Sequence, residues 1–125
     1  MLSDKKLVLF FTVGMSLKKW SEGGMLFREV RIYNELAKHF DKIYLLTYGG
    51  REEDEYKDFL APNIEILQNE KGINLFIYSF IAPFIHRKTI RNVDILKTNQ
   101  MLGSWTAVIA KLLFRKKLVV RQGYH

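Results

Sequence analysis

The sequence contains no cysteine, which excludes a disulfide framework and a metal site built from thiolates. It also has no apolar run close to the roughly 20 residues that a helix needs to cross a bilayer. A protein without cysteine is compatible with the cytoplasm, and we expect it there. The short apolar run near the start is not followed by a small-residue cleavage site, so we interpret it as a buried strand and not as a signal peptide.

Acidic residues are almost missing from the last 55 residues of the chain. Residues 71–125 hold ten Lys or Arg and one acidic residue, Asp94, whereas residues 51–70 hold two Lys or Arg and seven Asp or Glu. A cationic segment of this kind can bind nucleic acid, anionic lipid or a phosphorylated ligand. Solvated helix faces that lack acidic neighbours would give the same count, so both interpretations stay open.

What is present is a single domain of 125 residues, 48% hydrophobic and long enough for one sizeable core. The apolar run from Leu7 to Thr12 predicts a strand with both faces buried. A loop follows and closes with Gly23 and Gly24. Apolar side chains then recur every three or four residues from Phe27 to Phe40, which predicts a helix.

Strand, glycine loop and helix form the opening unit of a Rossmann-like sheet. The glycines let a ligand approach the backbone, and the start of the helix offers N–H groups to an anion. The full G-x-G-x-x-G fingerprint is absent, which disfavours a dinucleotide. A pair of glycines that only makes a tight turn would give the same local sequence.

Four further strands are predicted at Lys42 to Tyr48, Ile64 to Leu67, Val93 to Thr98 and Leu118 to Arg121. A helix is predicted between the last two, at Ser104 to Phe114. The acidic stretch Arg51 to Phe59 predicts a short surface helix or ordered loop with solvated charges, because its spacing does not match a calcium loop.

The most apolar segment, Ile73 to Ile85, predicts a helix that is apolar on almost every side and kinked by Pro83. Such a helix is buried against the sheet, faces a missing domain, or lies in a membrane interface, and the first two are favoured. His86 and the cations behind it suit the end of this helix. The surface that would meet an anionic membrane comprises this helix and Lys18, Lys19, Trp20, Arg87, Lys88 and Arg91.

Five strands that alternate with helical segments predict an α/β fold. We expect a Rossmann-like three-layer domain with a parallel five-stranded sheet of order 3-2-1-4-5 and helices on both faces. Ligands of such sheets bind beyond the carboxyl ends of the strands, where the strand order reverses. The loops at that point are Val13 to Gly24, Asn99 to Gly103 and the segment that begins at Gln122.

Three segments form a recognisable pattern. The first strand is followed by SEGGMLFREVRIYNELAK, the fourth and fifth strands lie in VDILKTNQMLGSWTAVIAKLLFRKKLVVR, and the fifth is followed by RQGY. With these segments, over nearly its whole length, the chain resembles the N-terminal domain of a family 4, or group 1, glycosyltransferase of GT-B architecture. The shared features are hydrophobic patterns with a few fixed positions, such as the Gly-Gly loop.

The resemblance implies a retaining transfer of a sugar from a nucleotide-diphosphate donor to a glycan or lipid-linked acceptor. In such enzymes the N-terminal domain mainly holds the acceptor, and its Gly-Gly loop, matched here by Gly23 and Gly24, approaches the donor diphosphate. We expect Asn99, Gln100 and Gln122 to hydrogen-bond hydroxyl groups of the sugar or acceptor. No catalytic residue, cofactor or metal ligand is assigned to this chain.

The sequence departs from the family pattern in two places. Many members carry a histidine after the fifth strand, where this chain has Gln122, and His125 three residues later cannot be given that role. The family's donor site, with a lysine and paired glutamates, lies in a C-terminal domain that nothing here matches. We therefore expect residues 1–125 to be an incomplete N-terminal half, inactive alone, whose partners include the missing domain.

The alternative is a non-catalytic Rossmann-type binding module that uses a basic face on anionic partners. Nucleic acid is disfavoured, since the aromatic residues Phe76, Tyr78, Phe80 and Phe84 lie in an apolar helix and are not interleaved with Lys or Arg on strands. No nucleic-acid motif is present either.

Overall fold

The structure, a computed structural model, describes residues 5–11, 14–98 and 117–120, the side chains of 98 and 117–120 excepted. Its elements are β1 (Lys6–Phe10), α1 (Leu17–Glu22), α2 (Leu26–Ala37), β2 (Lys42–Leu46), a 3₁₀ helix (Arg51–Phe59), β3 (Ile64–Leu67), α3 (Leu75–Ile85), α4 (Arg87–Arg91), β4 (Ile95–Thr98) and β5 (Lys117–Val120). The helix predicted at Ser104 to Phe114 lies outside the described residues.

The sheet is parallel, and four of its strands run in the order β3-β2-β1-β4. This part of the predicted order is confirmed, including the place of β1 between β2 and β4. The backbone of Lys117–Val120 is also extended and pairs in parallel with β4. Strand order therefore reverses between β1 and β4, as it does in doubly wound sheets.

The core is built on β1, which has a neighbour on each side. Leu7, Val8, Leu9, Phe10 and Phe11 are each at most 3% exposed, as a doubly apolar strand predicts. Ile64–Leu67 has the predicted bounds, and the other strands begin or end one or two residues away from theirs, as element ends commonly do.

Helices cover both faces of the sheet. The connection through α2 joins β1 to β2, and that through α3 and α4 runs the other way, from β3 to β4. Because such connections are right-handed, the two lie on opposite faces. Side-chain contacts agree: Lys97 of β4 lies 5.7 Å from the ring centroid of Tyr33 in α2, whereas Tyr78 of α3 packs edge-on against Tyr48 at 5.2 Å.

The predicted loop between β1 and α2 contains a helix, α1, which sequence reasoning missed. Ser16 caps it, with its hydroxyl accepting from the N–H of Lys19 at 3.1 Å. Trp20 lies in the core, stacked on Phe11 with ring centroids 4.4 Å apart. The prediction that Trp20 belongs to a membrane-facing surface is therefore wrong.

The acidic stretch Arg51–Phe59 forms the 3₁₀ helix, and its charges are not all solvated. Glu53 is completely buried, which corrects the expectation for this residue. Its neighbours Glu52 and Asp54 are exposed, as expected.

The apolar helix α3 is not buried against the sheet on all sides. Only Tyr78, Ser79, Ala82 and Pro83 are buried, while most of its large apolar side chains are exposed. Burial of the whole helix within this domain, one of the two favoured interpretations, is therefore wrong. Among the described residues, no helix has the length and apolarity needed to cross a bilayer.

Candidate functional site

The start of α2 lies toward the carboxyl edge of the sheet. At the opposite end of this helix, the chain returns to the amino edge, where the N–H of Asp41 donates to the carbonyl of Lys5 at 2.8 Å. A helix that connects two parallel strands runs antiparallel to them, so its first turn must lie beyond their carboxyl ends. Gly23 and Gly24 come directly before that turn.

Gly23 and Gly24 end α1 in a Schellman arrangement. The N–H of Gly24 donates to the carbonyl of Ser21, and that of Met25 donates to the carbonyl of Trp20 at 2.9 Å. The N–H of Gly23 also stays within α1, bonded to the carbonyl of Lys19. Both glycine N–H groups thus have partners inside the chain, which corrects the expectation that these groups face a diphosphate.

Of this pair, only Gly24 has a backbone conformation that requires a glycine. Its φ is +76°, a region that side chains with a Cβ rarely adopt, whereas the φ of Gly23 is −86°. Among the described residues, no atom lies within 4 Å of a Cβ placed on Gly24. The space beside this residue is therefore open for a ligand to approach the backbone.

The first turn of α2 offers backbone N–H groups at this edge. Its N-cap, Met25, makes no side-chain hydrogen bond to the helix. The first N–H groups of any helix lack intrahelical acceptors. No carbonyl of α2 therefore competes with an anion for these N–H groups. Exposed Lys18 and Lys19 lie on the preceding helix.

The start of α1 is closed by a carboxylate from within the chain. Glu53 accepts hydrogen bonds from the N–H groups of Leu17, at 2.8 Å, and Lys18, at 3.1 Å. A carboxylate at a helix start satisfies the free donors and the positive end of the helix dipole. Among the α-helix starts near this edge, that of α1 is therefore occupied by Glu53 and that of α3 by its cap Asn74, whereas that of α2 has no side-chain cap.

Gly49 provides the space that Glu53 occupies. A Cβ at Gly49 would lie 2.6 Å from the carboxyl carbon of Glu53, closer than real atoms approach. In the sequence alone, the Gly49-Gly50 pair indicates only that β2 ends. No pattern within the acidic stretch distinguishes Glu53 from its acidic neighbours. The glycine pair before the stretch was the available signal that a side chain could be buried there.

A cavity of about 330 Å³ lies between the end of β3 and the junction of α3 and α4. His86, at that junction, bonds through Nε2 to the hydroxyl of Tyr78 at 2.9 Å. Burial lowers the pKa of His86, while negative charge at Glu70 and a bond to the backbone of Gln68 oppose this shift. Burial raises the pKa of the Tyr78 hydroxyl far above its usual range, so both groups are neutral at pH 7.

Gln68 lines the same cavity and is buried. Its side-chain nitrogen donates to the carboxylate of Asp54, while its Oε1 has no partner among the described residues. The cavity therefore combines the neutral polar groups of His86, Tyr78 and Gln68 with the charged side chains of Glu65, Glu70 and Lys71. In the described part of the chain, no cluster of three or more His, Asp or Glu could hold a metal ion.

The free energy of unfolding should fall as the pH is lowered below about 6.5, the ordinary pKa of histidine in an unfolded chain. The pKa of His86 is depressed in the folded state, so the unfolded chain binds this proton more readily and is favoured by acid. Urea unfolding between about pH 7.5 and about pH 5.5 measures the effect. His86→Gln should flatten the dependence, whereas the exposed-site control His39→Gln should preserve it; identical slopes for both variants would contradict the assignment.

The remaining predicted site residues, Asn99, Gln100 and Gln122, lie outside the described residues. The structure therefore brings together Gly23, Gly24 and the start of α2 at the carboxyl edge, and the loops expected to face them stay a prediction.

Comparison with known proteins identifies no relative of this chain. No family model, curated protein or solved structure matches this chain.

Proposed function

We propose that this chain forms the acceptor-side N-terminal domain of a retaining glycosyltransferase of GT-B architecture. The whole sheet has the order 3-2-1-4-5 in this proposal, and a second Rossmann-like domain supplies the nucleotide-diphosphate sugar. The acceptor is a glycan or a lipid-linked glycan, and the reaction takes place in the cytoplasm, where a membrane surface can present such an acceptor.

The observation that carries the proposal is the open edge at the reversal of strand order. The uncapped start of α2 and the open space beside Gly24 lie there together. As the bond between sugar and diphosphate breaks, negative charge develops on the departing diphosphate. Backbone N–H groups at a helix start stabilise such charge without reorganisation, because their dipoles already point toward it.

The other groups of the site hold hydroxyl groups or add positive charge. Asn99, Gln100 and Gln122 hold hydroxyl groups of the sugar or acceptor in this proposal, and Lys18 or Lys19 adds positive charge near the diphosphate. The edge thus positions the reacting groups and stabilises the charge that develops on the diphosphate. These two effects together account for much of the rate acceleration of an enzymatic group transfer.

The test is an assay of the protein encoded by the complete reading frame that contains this chain. Membrane extracts or purified glycans serve as acceptors for a panel of nucleotide-diphosphate sugars, and released nucleoside diphosphate is measured. We expect release that depends on the acceptor, with the anomeric configuration retained in the product by NMR. No acceptor-dependent release from any donor in the panel would overturn the proposal.

Residues 1–125 alone should show no steady turnover of a nucleotide sugar. In the proposed architecture the donor is held by the second domain, so one domain cannot align donor with acceptor or complete the charge stabilisation. The measurement is the same nucleoside-diphosphate assay, with the complete protein as the positive control. Continued glycosyl transfer by the purified 125-residue chain would contradict the division of roles.

The alternative proposal, a non-catalytic module for anionic partners, draws on the charge of one segment. From Lys71 to Val93 the chain carries four Lys or Arg and no acidic residue. This alternative predicts that the complete protein binds polyanions without consuming a nucleotide sugar, so the same assay separates the two.

A further inference from the structure

Helix α3 packs with its small and polar residues inside and its large apolar residues outside. The buried residues are Tyr78, Ser79, Ala82 and Pro83. The exposed ones, called here the apolar face of α3, are between 42% and 67% exposed: Leu75, Phe76, Ile77, Phe80, Phe84 and Ile85. So many exposed large apolar side chains on one short helix are typical of an interaction surface.

The buried side of α3 is held by specific contacts, so the helix cannot simply rotate to bury its apolar face. The ring of Tyr78 packs edge-on against Tyr48, and its hydroxyl bonds to His86. Asn74 caps the start of the helix by accepting from the N–H groups of Phe76 and Ile77. The orientation that exposes the apolar face is therefore the one that satisfies the polar groups of this helix.

Positive charge borders the apolar face. Nη1 of Arg87 donates to the carbonyl of Phe84 at 3.0 Å, which holds a guanidinium against one end of the face. Lys88 is exposed next to it, and Lys71 is exposed before the other end. No acidic residue occurs between Lys71 and Val93, and exposed Glu70 and Asp94 stand directly before and after this segment.

The flanking charge and the length of α3 together indicate what binds to this surface. A second copy of the chain would bring cations against cations, which disfavours self-association through this face. At about 1.5 Å per residue, the 11 residues of α3 extend about 16 Å, roughly half of a bilayer's apolar core, so the helix cannot span it. A short helix with an apolar face and flanking cations is suited to lie in the interface of an anionic membrane.

We propose that the apolar face of α3, bordered by Arg87 and Lys88, docks this domain onto the surface of an anionic lipid bilayer. Phe76, Ile77 and Phe84 enter the boundary between headgroups and acyl chains, and the cations contact lipid phosphates. Trp20 takes no part, because it is buried in the core.

The docked orientation places the carboxyl edge of the sheet close to the membrane. The side chain of Leu75, the first residue of α3, lies 3.7 Å from the Cβ position of Gly14 in the loop after β1. The apolar face thus begins beside the loop that leads from β1 into α1. If the proposed function holds, a lipid-linked acceptor reaches the site directly from the bilayer. Only this step rests on the proposed function.

Vesicle binding tests the docking surface with the full 125-residue chain and needs no sugar transfer. We expect recovery with phosphatidylcholine vesicles that contain phosphatidylglycerol, and little with phosphatidylcholine alone. Phe76→Ser combined with Ile77→Ser should weaken binding at least about tenfold. The control Ile32→Ser, at an exposed apolar position of α2 on the opposite face of the sheet, should bind like the original chain.

The cations are tested by Arg87→Gln and Lys88→Gln, since glutamine keeps a donor for the carbonyl of Phe84. Each nearby cation contributes a factor of about five on an anionic surface, so the double variant should bind about 25-fold more weakly and with less dependence on salt. Circular dichroism of every variant establishes that the chain remains folded.

A fluorescent probe gives a second measurement that does not depend on loss of binding. Because the chain has no cysteine, Phe76→Cys can be labelled at one position with a polarity-sensitive dye. We expect its emission to shift to the blue on vesicles that contain phosphatidylglycerol, while the same dye at Ile32→Cys should not respond.

Three results would overturn the proposal. They are equal recovery with the two kinds of vesicle, equal responses of the dye at positions 76 and 32, and a stable dimer in solution that Phe76→Ser dissociates. The last result would assign the face to self-association. Because none of these readouts involves a nucleotide sugar, failure of the docking surface is distinguishable from failure of the proposed function.

Discussion

Gly24→Asn should lower the turnover of sugar transfer by the complete protein about 100-fold or more, while the fold survives. Asparagine tolerates the left-handed conformation that Gly24 adopts, at φ +76°, better than other residues with a Cβ. Its side chain would extend into the open space beside the start of α2, where the proposal places the diphosphate. The measurements are kcat for acceptor-dependent release of nucleoside diphosphate and the midpoint of urea unfolding.

Asparagine makes this test sharper than valine. Gly24→Val should also abolish turnover, but a β-branched residue at positive φ strains the backbone and weakens the end of α1 as well. Gly72→Asn is the matched control, because Gly72 has a φ of +63° and an equally open Cβ position away from the start of α2. If Gly24→Asn stays folded with the turnover of the Gly72→Asn control, the glycine only ends a helix and the diphosphate assignment is wrong.

Glu53→Ala should lower the free energy of unfolding by about 3 kcal/mol, a large effect for a polar side chain. The substitution leaves the N–H groups of Leu17 and Lys18 without their acceptor in a buried position. It also removes the negative charge at the start of α1 and leaves a cavity. Urea unfolding followed by circular dichroism measures the change.

Two neighbouring substitutions define the origin of this effect. Glu53→Gln retains one acceptor oxygen and should cost about half as much. Glu52→Ala removes an exposed carboxylate that accepts a hydrogen bond from the N–H of Gly50. It should lower the free energy of unfolding by no more than about 0.5 kcal/mol. Equal losses for Glu53→Ala and Glu52→Ala would show that the buried cap contributes nothing beyond an ordinary surface charge.

The strands were predictable because their signal is local. Ile64 to Leu67 and the buried run that begins at Leu7 are recognisable from apolar side chains and turn residues within a few positions. The parallel order of β3-β2-β1-β4 followed from the alternation of strands with helical segments, since right-handed crossovers permit few arrangements. The pair Gly23 and Gly24 was visible as a break, although its sequence did not show that it ends a helix.

The contacts of Glu53 could not be predicted, because they join residues 36 positions apart. In the sequence Glu53 is one carboxylate in an acidic run, and its burial depends on α1, a helix of six residues with little local signal. The same holds for Trp20, whose place in the core depends on Phe11 and Tyr33 around it.

The sequence by itself determined the fold class, the place of β1 between β2 and β4, and the point at which strand order reverses. These follow from hydrophobic periodicity and from the chirality of the chain, which act over short distances or apply to every such fold. Tertiary structure alone decided which helix start is filled by Glu53 and which is left without a side-chain cap. It also decided that α3 turns Tyr78 inward and Phe76 outward, because on a helix apolar all round only packing partners and hydrogen bonds select the buried side.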